Sequence, residues 1–295
     1  MAFVALDDLG LTLEIAWVDP APQNIGTDTG RERVGRRMPQ KTAALQAAAD
    51  IASDDPVMIF LHEGLGSVAL WKDFPERICA ATGLRGLLYS RPGYGRSTPR
   101  RSDEHWGPDF MHRQALEVLP ALRAQLGLAQ RPVWLFGHSD GATIALLHAA
   151  LQTQPVQGMV VMAPHVFVEP ISIASIQAAL AAYPTSLRER LARFHDDVDS
   201  AFHGWAGAWL SPEFKAWTIT HELGGISCPT LLIQGDEDEY GTLAQLDAIG
   251  AQLPQALRLT LPQCGHSPHR DQPDAVISAT CRIVAAALHS NGDLS

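Results

Sequence analysis

The stretch Pro56 to Leu61 reads PVMIFL, an unbroken apolar run. Such a run predicts a strand buried on both faces of a parallel sheet. Similar short runs recur at Leu84–Ser90, Val133–Phe136, Met159–Met162, Thr230–Ile233 and Leu257–Leu261, and Leu11–Val18 predicts a first strand. Between them lie segments with helical periodicity: Leu70 to Ala81, Phe110 to Leu126, Thr143 to Leu151, and an amphipathic run from Ala275 to Leu288. Strands alternating with helices imply an α/β fold, a mostly parallel central sheet with helices on both faces.

Two segments break the alternation. Residues 167–223 are helix-rich and carry Phe194, Phe202, Trp205, Trp209, Phe214 and Trp217. A helical cap inserted between two strands lies over the C-terminal edge of the sheet, where open α/β folds bind ligands. Most of these aromatics are expected to form the insertion's own core and a few to face a pocket beneath it. The other segment lies within residues 1–55, after the first strand. It combines Pro20, Pro22, Gly26 and Gly30 with Arg31, Arg33, Arg36 and Arg37, then turns alanine-rich. It is expected to be a surface excursion; an arm that binds an anion or a partner is the sharper alternative. The expected organisation is then an N-terminal strand with its excursion (1–55), a core (56–166 and 224–295) and the cap (167–223).

Composition narrows the function. The chain has 295 residues, 46% hydrophobic and 18% charged, enough for a sizeable core, and its formal net charge is −10. An acidic surface argues against nucleic acid and anionic membranes as partners. No apolar stretch approaches bilayer-spanning length, and the N-terminus lacks the basic start of a secretory signal. The four cysteines are dispersed, with no CxxC pair, as in reduced cytoplasmic protein. The oligomeric state is not readable from these features.

Candidate chemistry centres on Gly137-His138-Ser139-Asp140-Gly141, a G-x-S-x-G pattern. It follows one predicted strand directly and opens a helix, the strand–turn–helix setting of a nucleophile elbow. The tight turn requires small residues at Gly137 and Gly141 and holds the Ser139 hydroxyl at a helix N-terminus. Serine needs a base to take its proton. His266, in the loop Cys264-Gly265-His266-Ser267-Pro268-His269, is the candidate, with His269 second. The histidine needs a carboxylate partner. Gly235-Asp236-Glu237-Asp238-Glu239 follows a strand and supplies Asp238, with Asp236 as the alternative. A tetrahedral oxyanion needs backbone N–H donors. Asp140 and the loop His62-Glu63-Gly64-Leu65-Gly66-Ser67 supply them, Gly64 ahead of Leu65. The expected pocket residues are His62, Glu63, His138, Phe167, Trp205 and Trp209.

Taken together, LHEGLGS, SRPGYGRS, GHSDGA, QGDEDEYG and CGHSPH resemble the α/β-hydrolase superfamily from about Pro56 to the C-terminus. Within it they are similar to the capped esterase, lactonase, proline-iminopeptidase and carbon–carbon-hydrolase group. HEGLG resembles the HGGPG loop of proline iminopeptidases, departing at Glu63 and Leu65. The resemblance implies a serine hydrolase acting on a small-molecule substrate, with carboxylic ester or lactone cleavage first. Amide or carbon–carbon cleavage is the enzymatic alternative, and a ligand-binding protein without turnover is the alternative of another class. Cys264, His266 and His269 lack further ligands at metal spacing, and Gly93-Tyr94-Gly95 lacks the third glycine of a dinucleotide fingerprint, so no metal or cofactor is expected.

Overall fold

The computed structural model describes residues 1–20, 56–151 and 154–292. The arginine-containing excursion expected within 1–55 lies outside the described residues. Eight strands form one sheet in the order β1-β2-β4-β3-β5-β6-β7-β8. They are β1 (Ala2–Leu6), β2 (Leu11–Val18), β3 (Val57–Leu61), β4 (Arg85–Tyr89), β5 (Val133–His138), β6 (Val156–Met162), β7 (Thr230–Gly235) and β8 (Leu257–Leu261). From β4 to β8 neighbours are parallel, whereas β1 and β2 pair antiparallel. The sequence reading missed β1. It is half-buried at the sheet edge and turns into β2 through Gly10, whose φ of 63° suits glycine.

The two faces of the central strands are buried by different helices, which explains their continuous apolar runs. Val57, Ile59 and Leu61 of β3 and Val133 and Leu135 of β5 enter one core. Met58, Phe60, Trp134 and Phe136 alternate into the other. This is the period of two expected of a strand. The second core is closed by α1 (Phe74–Thr82) and α7 (Pro273–Gly292). The first is closed by a helix over residues 110–125, α2, and by α3 (Asp140–Ala150). The centre of α2, Gln114–Val118, is a π-helical segment.

The helix expected at Leu70–Ala81 divides in two. A 3-10 turn covers Val68–Trp71, and α1 begins only at Phe74. Pro75 explains the break, because proline lacks an N–H and is tolerated only in a helix's first turn. Within residues 167–223, α4 (Pro170–Ala182) runs on through Leu191, and α5 (Val198–Trp209) precedes two 3-10 segments. Between β7 and β8 lies α6 (Ala244–Gln252).

Phe136 is fully buried, and its ring lies 5.4 Å from Phe60, 5.5 Å from Phe74 and 6.1 Å from Trp71. Phe136→Ala should lower the unfolding free energy by about 3–5 kcal/mol, read from denaturant midpoints. A loss under about 1 kcal/mol would mean that this aromatic layer is not packed as described.

Candidate active site

β5 ends at His138 and α3 begins at Asp140, leaving Ser139 alone in the turn with φ 54° and ψ −120°. That is a costly conformation for a non-glycine residue, held only where the surroundings over-determine it. Here they do. The Ser139 N–H donates to the Met162 carbonyl on β6 at 2.9 Å, and the Ser139 carbonyl accepts from Ala142 and Thr143. Neighbouring backbones leave no room for side chains: a Cβ at Gly137 would lie 2.5 Å from the Gly141 oxygen, and one at Gly141 would lie 2.1 Å from the Leu61 oxygen of β3.

The loops after β7 and β8 bring the partners. His266 Nε2 lies 2.9 Å from Ser139 Oγ, and Nδ1 lies 2.8 Å from Asp238 Oδ1. An ionised carboxylate can only accept, so Nδ1–H donates to Asp238 and Nε2 is left to accept from the serine hydroxyl. Asp238 Oδ1 also accepts from the Tyr240 and Gly241 N–H groups, and Oδ2 from the Gln234 amide. Burial works against its charge, but the hydrogen bond and charge of His266 outweigh it and hold the carboxyl at about 2. Asp236, the alternative, is exposed and accepts from the Gln263 N–H instead. His269, the second choice for the base, sits behind His138 with ring centroids 4.9 Å apart. It packs on Trp71 and Phe74, and burial lowers its pKa to about 3.

The loop after β3 is pinned through one carbonyl. Glu63 O accepts from His62 Nδ1, from Arg91 Nη2 and from the Gly66 N–H. His62 Nε2 in turn accepts from the Arg91 N–H. Gly64 meets the insertion closely, since a Cβ there would lie 2.2 Å from Trp205 Nε1. Asp140, as the first residue of α3, has no intrahelical acceptor for its N–H. Its side chain is buried and accepts from Trp209 Nε1 at 3.2 Å. Burial raises its pKa, opposed by the guanidinium of Arg91 at 3.7 Å.

A cavity of about 120 Å³ opens over Ser139 and His266. Of the expected pocket residues, Glu63, Trp205 and Trp209 line it, as do Gly64, Leu65 and Asp140. His62, His138 and Phe167 do not. His62 is fully buried beneath the loop, where both ring nitrogens are committed. His138 is turned to the opposite side from Ser139 and donates from Nε2 to the His266 carbonyl at 2.6 Å. Phe167 forms a backbone bridge with Thr218, closing the base of the insertion. His165, Ser172, Ile176 and Tyr240 line the cavity and were missed. His165 was accessible to sequence reasoning, because it follows β6 at the sheet edge where ligands bind. Burial pushes its pKa down to about 3, which keeps a second positive charge away from His266. Among the described residues no group of three or more His, Cys, Asp and Glu side chains is placed to hold a metal ion.

A mostly parallel sheet with a strained serine between strand and helix, and a histidine and aspartate reaching it from later loops, defines an α/β-hydrolase architecture. The chain belongs to the alpha/beta hydrolase family, whose model matches residues 58–279. It is similar to the 2-hydroxy-6-oxo-6-phenylhexa-2,4-dienoate hydrolase of Burkholderia cepacia, at 24% identity over 79% of this chain and 89% of that one. It is also similar to the mouse (Mus musculus) sn-1-specific diacylglycerol lipase ABHD11, at 26% identity over 78% and 81%. The enol-lactonase from Burkholderia xenovorans LB400 shares the fold with a TM-score of 0.65 at 18% identity, covering 96% of this chain and 99% of that one. Among the described residues no helix is long and apolar enough to cross a membrane.

Asp238 has a folded-state pKa below the usual 3.8, so it adds stability that is complete above that value and is lost as pH falls through about 2. Denaturation across this range should show the wild type losing stability on acidification more steeply than Asp238→Asn. Parallel curves would show that the His266 contact does not hold the carboxylate.

Proposed function

We propose that the protein is a serine hydrolase that cleaves a carboxylic ester or lactone of a small, largely apolar substrate through an acyl-serine intermediate. The observation that carries this reading is the continuous hydrogen-bonded chain from Ser139 through His266 to Asp238. In the proposed reaction the Ser139 oxygen bonds to the carbonyl carbon while His266 Nε2 takes the hydroxyl proton. The N–H groups of Asp140 and Gly64, with Leu65 as the alternative to Gly64, hold the oxyanion. The carbon–oxygen bond to the alcohol then breaks as His266 returns the proton to the leaving oxygen. Water adds to the acyl carbon, giving its proton to His266. The acid departs, and His266 reprotonates Ser139. Asp238 keeps the imidazole in the Nδ1–H tautomer throughout.

Residues 167–223 act as the cap in this reading and give the site Ser172, Ile176, Trp205 and Trp209. With Leu65 and Tyr240 they make the walls largely apolar. The cavity is small against the roughly 300–1,000 Å³ of drug-sized sites, which supports short acyl groups. All four cysteines are free, in keeping with a reducing, cytoplasmic setting.

The test is hydrolysis of p-nitrophenyl esters of graded chain length. Acetate and butyrate should exceed octanoate in kcat/KM. Ser139→Ala should lower kcat by at least about 10⁴-fold, and Asp238→Asn by about 10³–10⁴-fold. A fluorophosphonate should label the wild type and not Ser139→Ala. Labelling without ester turnover would move the reading to amide or carbon–carbon substrates. Neither labelling nor turnover, in folded protein, would favour ligand binding alone.

A further inference from the structure

The cavity holds one group that the hydrolytic steps leave unused. Glu63 lines it beside Gly64, with 26% of its side chain exposed. Its backbone carbonyl is fully engaged, and its carboxylate is paired at one oxygen, Oε2, with His138. His138 Nδ1 lies 3.6 Å from Oε2, an ion-pair distance longer than an ordinary hydrogen bond. Gly66 makes room for the carboxylate, since a Cβ there would lie 2.5 Å from Oε2. Burial disfavours the charge of Glu63, but the facing His138 outweighs it and holds the carboxyl below the usual range.

Among the described residues the rest of the lining offers no Lys or Arg. Ser139, His165, Ser172, Tyr240 and His266 are the other polar side chains, and Asp140 is a second acid. The Arg91 guanidinium is fully buried behind Asp140, where Nη2 donates to the Glu63 carbonyl and the group lies over the Tyr94 ring. Outside the lining, another carboxylate, that of Glu239, accepts from the His266 N–H. A partly desolvated carboxylate facing a small, largely apolar cavity attracts a cation and repels an anion over several ångströms, because the dielectric there is low.

We propose that Glu63 is a specificity-determining residue that accepts the ammonium group of an amine-bearing substrate and excludes substrates carrying a carboxylate near the scissile bond. This names a substrate class for the ester-hydrolase site and rests on that reading only for the identity of the bond cleaved. The recognition itself is a property of the cavity and can be measured without turnover.

The experiment titrates n-butylamine, 1-butanol and butyrate, near neutral pH, into wild type, Glu63→Gln and Glu63→Asp, followed by ligand-observed NMR. Inhibition of p-nitrophenyl acetate hydrolysis is measured in parallel. Wild type should bind the butylammonium ion at least about tenfold more tightly than butyrate, with butanol between them. Glu63→Gln should bring the three within about threefold of one another, and Glu63→Asp should keep the order. Equal binding of amine and carboxylate by wild type, or an unchanged ratio in Glu63→Gln, would overturn the proposal and leave Glu63 as a packing partner of His138. If the binding order holds but no ester is hydrolysed, it is the ester reading that falls, and Glu63 stands as the charge selector of a different reaction or of a binding site.

Discussion

Everything at the site depends on one close approach of backbone to backbone. The first turn of α3 presses on the end of β3 so tightly that Gly141 has no space for a methyl group against the Leu61 carbonyl. The contact places the strained Ser139, the free N–H of Asp140 and the loop after β3 side by side. A comparable contact lies on the other flank, where a Cβ at Gly235 would lie 1.9 Å from the Cys264 oxygen. It brings the end of β7, which carries Asp238, against the loop that carries His266. The glycines therefore act as spacers of zero width: they let rigid sheet edges hold reacting groups within hydrogen-bond reach, where a looser loop would leave them an ångström or more apart.

This crowding has an electrostatic consequence. Several histidines gather near one carboxylate-bearing cavity, and burial lowers the pKa of His62, His165, His195 and His269. Kept neutral, they serve as shaped hydrogen-bonding groups and leave the field at His266 to Asp238. Asp238 stays ionised because it accepts from His266, two backbone N–H groups and Gln234. Asp238 thus places fixed negative charge beside the imidazole, where it stabilises an imidazolium, while the neutral rings of His165 and His269 add no competing positive charge.

The sheet and the hydrogen-bonded chain were legible because they follow from local constraints. Unbroken apolar runs such as PVMIFL need two covered faces, and G-x-S-x-G between strand and helix needs two glycines whatever the rest of the chain does. The misplacements have equally physical causes. His138 is the last residue of β5, and the sharp turn at Ser139 separates their side chains, so His138 bonds to the His266 carbonyl instead of lining the cavity. His62, just past the end of β3, is turned under its own loop, where the Glu63 carbonyl and the Arg91 N–H take both ring nitrogens. Phe167 was judged by its aromatic character, yet its role is to pair by backbone with Thr218. Ser172 and Ile176 were out of reach, since which face of α4 looks down depends on how the insertion docks. The edge strand β1 was passed over because its N-terminal run was weighed only as a signal peptide. Its inward Val4 and Leu6 already alternate with partly covered neighbours.

The insertion resolves a choice that composition left open. Its aromatics do form a core of their own: Tyr183 stacks on Phe202 at 3.8 Å, and Phe214 stacks on Trp217 at 4.9 Å. Trp209 belongs to that cluster, with its ring 4.8 Å from Phe214, yet its indole N–H reaches Asp140, the residue beside Ser139. Trp205 similarly packs against Phe202 while its ring fills the space above Gly64. Both tryptophans lie on α5, four positions apart, so they share one helix face. One helix face therefore packs into its own aromatic layer and rests on the start of α3 and on the loop after β3, both of which line the cavity. The position of this helix relative to Ser139 is set by a buried hydrogen bond to Asp140 and by the close contact of Trp205 with Gly64.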